Sequence, residues 1–148
     1  MTLMIDRMFD KGALQTLERV VQFTGARNRV LVDNVANMST PTYKPRDLSV
    51  KGFQKTLGDA LRVRRGSGTP MTGRLRLRDT GELSFGEGGL LSARGGATGE
   101  GILFHDQNNR DLERTMQHLA ENAMAHNTAI ELLRQSLSVM EMAIRERA

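Results

Sequence analysis

From Asp111 to Arg147 the chain repeats with a period that leaves few folds open. Leu112, Met116, Leu119, Ala123, His126, Ile130, Leu133, Leu137, Met140 and Ile144 follow one another in alternating steps of four and three. That is the a/d pattern of a helix burying a narrow seam against another helix. Nine of the ten positions are apolar, and neither Pro nor Gly interrupts the segment. A helix of this span is roughly 50 Å long, too long for the interior of an ordinary small domain. It either projects into an assembly or forms one arm of a long hairpin within the monomer.

A mate for that seam lies near the other end. Leu14, Leu17, Val21, Thr24, Asn28, Leu31, Val35 and Met38 step by three and four in the same way. Thr24 and Asn28 break the seam with polar side chains, which weaken it but can fix register and partner. Gly25 beside them costs on the order of 1 kcal/mol of helix propensity relative to Ala. The first helix is marginal alone and expects the second. Residues 1–12 carry Met, Ile and Phe without a sustained period and read as a mobile lead-in.

The first helix stops in Asn34-Val-Ala-Asn37-Met-Ser-Thr40-Pro41-Thr-Tyr43-Lys44-Pro45. Pro41 and Pro45 push the residues before them out of the helical region, and Asn37, Ser39 and Thr40 offer groups to the unpaired helix-end carbonyls. On composition alone this is an ordinary helix stop and turn. Beyond it, Phe53, Leu57 and Leu61 at spacing four predict a short helix of about three turns.

The middle differs in character. Residues 58–101 hold 12 of the 15 glycines, and Arg62 to Arg78 carries six Arg with no acidic residue. Arg74 to Arg78 alternates with period two, Asp79-Thr80-Gly81 follows, and Glu82 to Phe85 alternates again. This predicts a hairpin over about 74–85, pairing Leu77 with Leu83, Leu75 with Phe85 and Arg78 with Glu82, all four apolar side chains on one face. Gly86 to Gly101 reads as a flexible connection. Asn108 or Asn109 then caps the long helix, with Asp111 and Glu113 complementing its positive end.

Little here asks for catalysis. The six aromatics (five Phe and Tyr43) promise a thin core, and the chain has no Cys and therefore no thiolate chemistry. No run approaches the ~18 apolar residues of a membrane span, and residues 1–12 mix charges among their apolar side chains in a way no Sec-type signal does. The glycine-rich stretch lacks the phosphate-binding motifs. Asp106 and Asn108 begin a calcium-loop pattern, but Arg110 and Gln117 fill later ligand positions. His118 and His126 are eight residues apart, and a lone His on a helix seam is ordinarily a hydrogen-bonded core residue. No catalytic, cofactor or metal residue is nominated. The one competitor is the Arg62–Arg78 run, which could serve a basic helical nucleic-acid-binding protein through phosphates. No aromatic is interleaved to stack bases, and a solvated or subunit-facing charged face accounts for the run better.

The turn at Asn34–Lys44 resembles the N-terminal motif of bacterial flagellar rod and hook proteins, N-x-A-N-x-x-T-P-x-Y/F-K, with Asn34, Asn37, Thr40, Pro41, Tyr43 and Lys44 at its fixed positions. Asp106-Gln-Asn108-Asn109-Arg-Asp111-Leu112-Glu113-Arg114-Thr-Met116 resembles DGNNVDLEREM of the proximal-rod members, and Asn122 also fits that pattern. Gln107, Arg110, Thr115 and His126 depart from it, in place of Gly, Val, Glu and Tyr. The two motifs span about half the chain and identify it with the flagellar basal-body rod protein family.

The resemblance implies a structural subunit, exported by the flagellar type III apparatus without a cleaved signal peptide. It would polymerise through its terminal helices into the torque-transmitting axial rod in the periplasmic space. Implied partners are neighbouring copies, other rod proteins, the rod–ring adaptor and the membrane (MS) ring; nucleic acid and small-molecule substrates are not among them. The expected fold is mainly α: a lead-in (1–12), an N-terminal helix and turn motif (13–45), a middle segment (46–105) and a capped C-terminal helix (106–148). The seams then pair Leu14, Leu17, Val21, Leu31 and Val35 with Leu112, Met116, Leu119, Ile130, Leu133, Leu137, Met140 and Ile144. Because such seams bury little without a mate, folding is expected to be coupled to assembly.

Overall fold

The computed structural model describes residues 11–66, 75–86, 91–97 and 112–146. Two long helices dominate: α1 (Lys11–Ala36) and α3 (Leu112–Arg145). Between them come β1 (Arg46–Asp47), α2 (Val50–Gly66), β2 (Leu83–Phe85), β3 (Leu91–Ala93) and β4 (Gly96–Ala97). The mainly helical architecture expected from the heptads is present. At 34 residues α3 is about 51 Å long and at 26 residues α1 is about 39 Å.

The terminal helices lie side by side and antiparallel. Thr24 of α1 meets Asn122 and His126 of α3, whereas Arg27, one turn on, joins Asp47, which in turn lies near His118. The packed stripe of α3 is rotated from the expected seam. Leu119, His126, Leu133 and Met140 belong to both, but the inner column is Asn122, Ala129, Ser136 and Ala143. The expected partners in the alternating pattern, one residue on, lie outward: Ala123, Leu137 and Ile144 are exposed, as are Leu112 and Met116, and Ile130 is half-buried. Small and polar side chains take the inside because α1 approaches closely there, at Thr24 and Gly25. On α1 the expected seam holds better, since Leu31 and Thr24 are buried and Leu14, Leu17, Val21, Val35 and Met38 half-buried. Asn28 is exposed, and its neighbour Arg27 is the buried polar residue instead.

The core is not between the terminal helices. It joins the other face of α1 to the middle segment: Phe23, Leu48, Phe53, Leu75, Leu77 and Leu83 form one buried cluster, flanked by Val20, Ala26, Val30, Leu57 and Leu61. Phe23 and Phe53 stack with centroids 4.1 Å apart. The helix α2 is longer than the three turns expected, at 17 residues, with Phe53 buried and Leu57 and Leu61 half-buried on its inner face. Ser49 caps it, accepting the Gly52 amide at 3.0 Å.

The predicted hairpin over 74–85 is replaced by another. Leu75 and Leu77 are buried and Arg76 and Arg78 exposed, as the alternation requires, but residues 75–80 form no strand. The donors a partner strand would serve are taken elsewhere. Asp79 Oδ1 accepts the Phe85 amide (2.8 Å), Thr80 Oγ1 the Leu83 amide (3.1 Å) and Gln15 Oε1 the Leu75 amide (2.7 Å). The strand β2 pairs instead with β3, antiparallel, in register Leu83↔Ala93, Ser84↔Ser92 and Phe85↔Leu91. Gly86–Gly101 is thus not merely a connection: besides β3 it supplies β4, which pairs with β1. Gly95 permits this, because a Cβ there would lie 3.1 Å from Arg46 Cβ, 3.2 Å from Asp47 O and 3.3 Å from Val30 Cγ1. Lys11 and Gly12, expected in the lead-in, belong to α1; residues 1–10 and the expected caps Asn108 and Asn109 lie outside the described residues.

Candidate assembly interface

The Asn/Thr/Pro turn is built around one side chain. Asn34, 5% exposed, sits in the last turns of α1. Its Nδ2 donates to Arg46 O at 2.6 Å, and its Oδ1 accepts from Arg46 N and from the Tyr43 hydroxyl, both at 3.0 Å. An amide is the group that can donate and accept from one position, so Asn34 clips the returning chain back onto α1. Asn37 bonds back to Asp33 O at 2.8 Å, occupying a carbonyl near the helix end. Thr40 to Tyr43 then make a turn, closed by Tyr43 N–H on Thr40 O at 3.3 Å, with Thr42 at φ 62°. Pro at the second position and a positive φ at the third are the type II pattern, where a β-branched residue is strained. Thr40, Pro41, Thr42 and Lys44 are exposed and form the outer tip of this turn.

Below the turn lies an ion pair that sequence reading did not find. Arg27 Nε donates to Asp47 Oδ1 at 2.8 Å and Nη2 to Oδ2 at 2.7 Å, with the two side chains 10% and 17% exposed. Asp47 Oδ1 also accepts the Leu48 amide at 2.7 Å, and His118 Nδ1 stands 3.8 Å from Oδ2. One carboxylate therefore ties α1, β1 and the first half of α3 together. Such a fork-to-fork contact is geometrically specific, but its partners are 20 residues apart and no local pattern announces it.

The second polar knot joins the long helices. Asn122, 3% exposed, donates to Thr24 O at 2.8 Å. The Thr24 hydroxyl lies 2.8 Å from both Val20 O and His126 Nδ1. A hydroxyl has one proton, so if it donates to Val20 O, His126 carries its own proton on Nδ1 and donates to Thr24. Two of the polar seam positions singled out in the sequence meet each other. They fix the axial register of a pair whose apolar contacts alone would tolerate sliding.

Of the remaining nominated residues, Glu113 is exposed near the start of α3. The outer flank of α3 keeps large apolar side chains in the open, with Leu112 at 48%, Met116 at 49%, Leu137 at 43% and Ile144 at 69% exposure. Among the described residues no group of His, Cys, Asp or Glu could hold a metal ion, and no helix is long and apolar enough to cross a membrane.

Paired long terminal helices, a clipped Asn/Thr/Pro turn and an uncovered apolar flank define a helical protein that presents surfaces to other proteins. No protein-family model matches the sequence. The chain is similar to the flagellar basal body rod protein FlgB of Cereibacter sphaeroides, 31% identical over 121 residues, covering 80% of this chain and 83% of that protein. It is similar also to FlgB of Aquifex aeolicus, 26% identical over 131 residues, covering 88% of this chain and 91% of that protein. The chain belongs to the FlgB family of flagellar basal-body rod proteins.

Proposed function

We propose that the chain is a structural subunit of the flagellar basal-body rod. It polymerises with its own copies and other rod proteins to carry torque along the axis through the periplasmic space. Its wider partners are the rod–ring adaptor, the membrane ring and the type III apparatus that exports it. The observation that carries polymerisation is the division of the α3 stripe. Its small and polar column is used within the monomer, while Met116, Leu137 and Ile144 of the next column remain exposed. A flank of this kind is a surface for another helix. The exposed tip Thr40–Lys44 offers a second contact at the opposite edge of the motif turn, with Asn34 and Tyr43 holding it in shape from beneath.

The test is deletion of the coding sequence in the source bacterium, followed by electron microscopy of its basal bodies and a swimming assay. The reading expects basal bodies without a complete rod, no swimming, and recovery of both on supplying the wild-type chain. Complete rods in the deletion strain would overturn it.

A further inference from the structure

The middle of the chain carries a charge imbalance that the apolar flank does not use. Residues 44–78 hold ten Lys or Arg and two Asp, a net +8; the whole chain is +4, leaving −4 for the remainder. On α2, Lys51, Lys55, Arg62 and Arg65 are all exposed and step by four, seven and three. Those steps put them on one ridge, opposite the face that Phe53 and Leu57 turn to the core. The ridge is about 21 Å long, and Val63 stands on the same helix at 70% exposure. Asp59 reaches Arg62 only at 3.8 Å across an open pair, a contact of little weight in water.

The side of α3 turned away from α1 has the opposite sign. Glu113, Glu121 and Glu131 are exposed there over about 27 Å, and Met124, 64% exposed, lies among them. Between residues 112 and 133 Arg114 is the single Lys or Arg. The two surfaces do not face each other within one chain, because α1 lies between them. Its Phe23 face packs on α2 and its Thr24 face on α3.

We propose that the basic ridge of α2 docks on the acidic back of α3 of a second copy. Both surfaces belong to the same chain but to different patches of it, so the contact is head-to-tail. Repetition of such a contact gives a ring or an open helical stack rather than a closed dimer. Charge sets the partner and register, with Val63 and Met124 supplying apolar area within the contact. The proposal rests on the rod reading and adds the side contact between subunits that the apolar flank leaves open.

The experiment replaces the native chain in the source bacterium by Lys51→Glu/Lys55→Glu/Arg62→Glu and measures the chain by immunoblot in purified basal bodies. The expected result is a loss of about tenfold or more, since like charges then face each other. Adding Glu113→Lys/Glu121→Lys/Glu131→Lys to the same chain restores it. Should the reversed chain melt below wild type in circular dichroism, Lys55→Cys with Met124→Cys in this cysteine-free chain replaces it. Disulfide-linked copies after oxidation of basal bodies then support the contact, and their absence overturns it.

Undiminished incorporation of the triple reversal, or a loss that the second reversal does not restore, also overturns the proposal. So does a normal basal-body content combined with loss of duplex DNA binding that weakens steeply from 50 to 200 mM salt, which makes the ridge a phosphate surface. Absence of the wild-type chain from basal bodies overturns the rod reading itself and is separately visible.

Discussion

At the scale of single residues, Asn34 does more than its place in a motif suggests. Two of its three hydrogen bonds satisfy the backbone groups of Arg46 and the third holds the Tyr43 hydroxyl, in a partly buried site. Asn34→Ala strands both, and buried groups left unpaired cost about 1–3 kcal/mol each before relaxation. The expected loss is roughly 2–3 kcal/mol, read as a melting temperature lower by about 4–10 °C in circular dichroism. Asp47→Asn strands the Arg27 guanidinium instead, and breaking a buried pair costs about 3 kcal/mol. Combining it with Arg27→Met recovers part of that loss in the same melting experiment, because no buried charge is then left alone. The sequence displayed Asn34 by its motif but could not display its use. The bonds run to a backbone 12 residues away, and the Arg27–Asp47 fork spans 20. Nothing local marks either.

At the scale of elements, the heptads announced both long helices, because a period of 3.5 sustained for so long has one solution. They did not give the face. The stripe of α3 is three columns wide, and Leu119, His126, Leu133 and Met140 belong to either reading; only the approach of Thr24 and Gly25 selects the inner column. The middle misled for a different reason. Alternation from Leu75 to Phe85 correctly reported which side chains are buried, but a buried extended segment alternates just as a strand does. Asp79 and Thr80 divert the amides that cross-strand carbonyls would have taken.

These packing differences divide the elements by stability. The helices α1 and α2 share the apolar cluster, whereas α3 is held through a small and polar column with only half-buried Leu119, Leu133 and Met140 beside it. Apolar burial is the larger stabilising effect. Coupling of folding to assembly is therefore a property to look for in α3 alone. Amide exchange on the dilute chain is expected to find residues 20–34 and 53–61 well protected and residues 137–145 exchanging at least about tenfold faster. Equal protection of the two groups would mean that α3 is already complete without a neighbour.

At the scale of the whole molecule, α1 is the shared wall. One side of it carries the core with the middle segment, the other carries α3, and the motif turn is clipped across its end by Asn34. This arrangement leaves Met116, Leu137 and Ile144 of α3 exposed. On the proposed function these side chains serve assembly and not the fold of the monomer. Leu137→Asp/Ile144→Asp separates the two, since both side chains are already exposed and a carboxylate there remains solvated. The measurement is the amount of this variant in purified basal bodies relative to wild type, with the purified chain melting within about 2 °C of wild type as the control for its fold. The expected result is a folded chain that is absent from basal bodies. Full incorporation of the variant, with normal swimming, would contradict it.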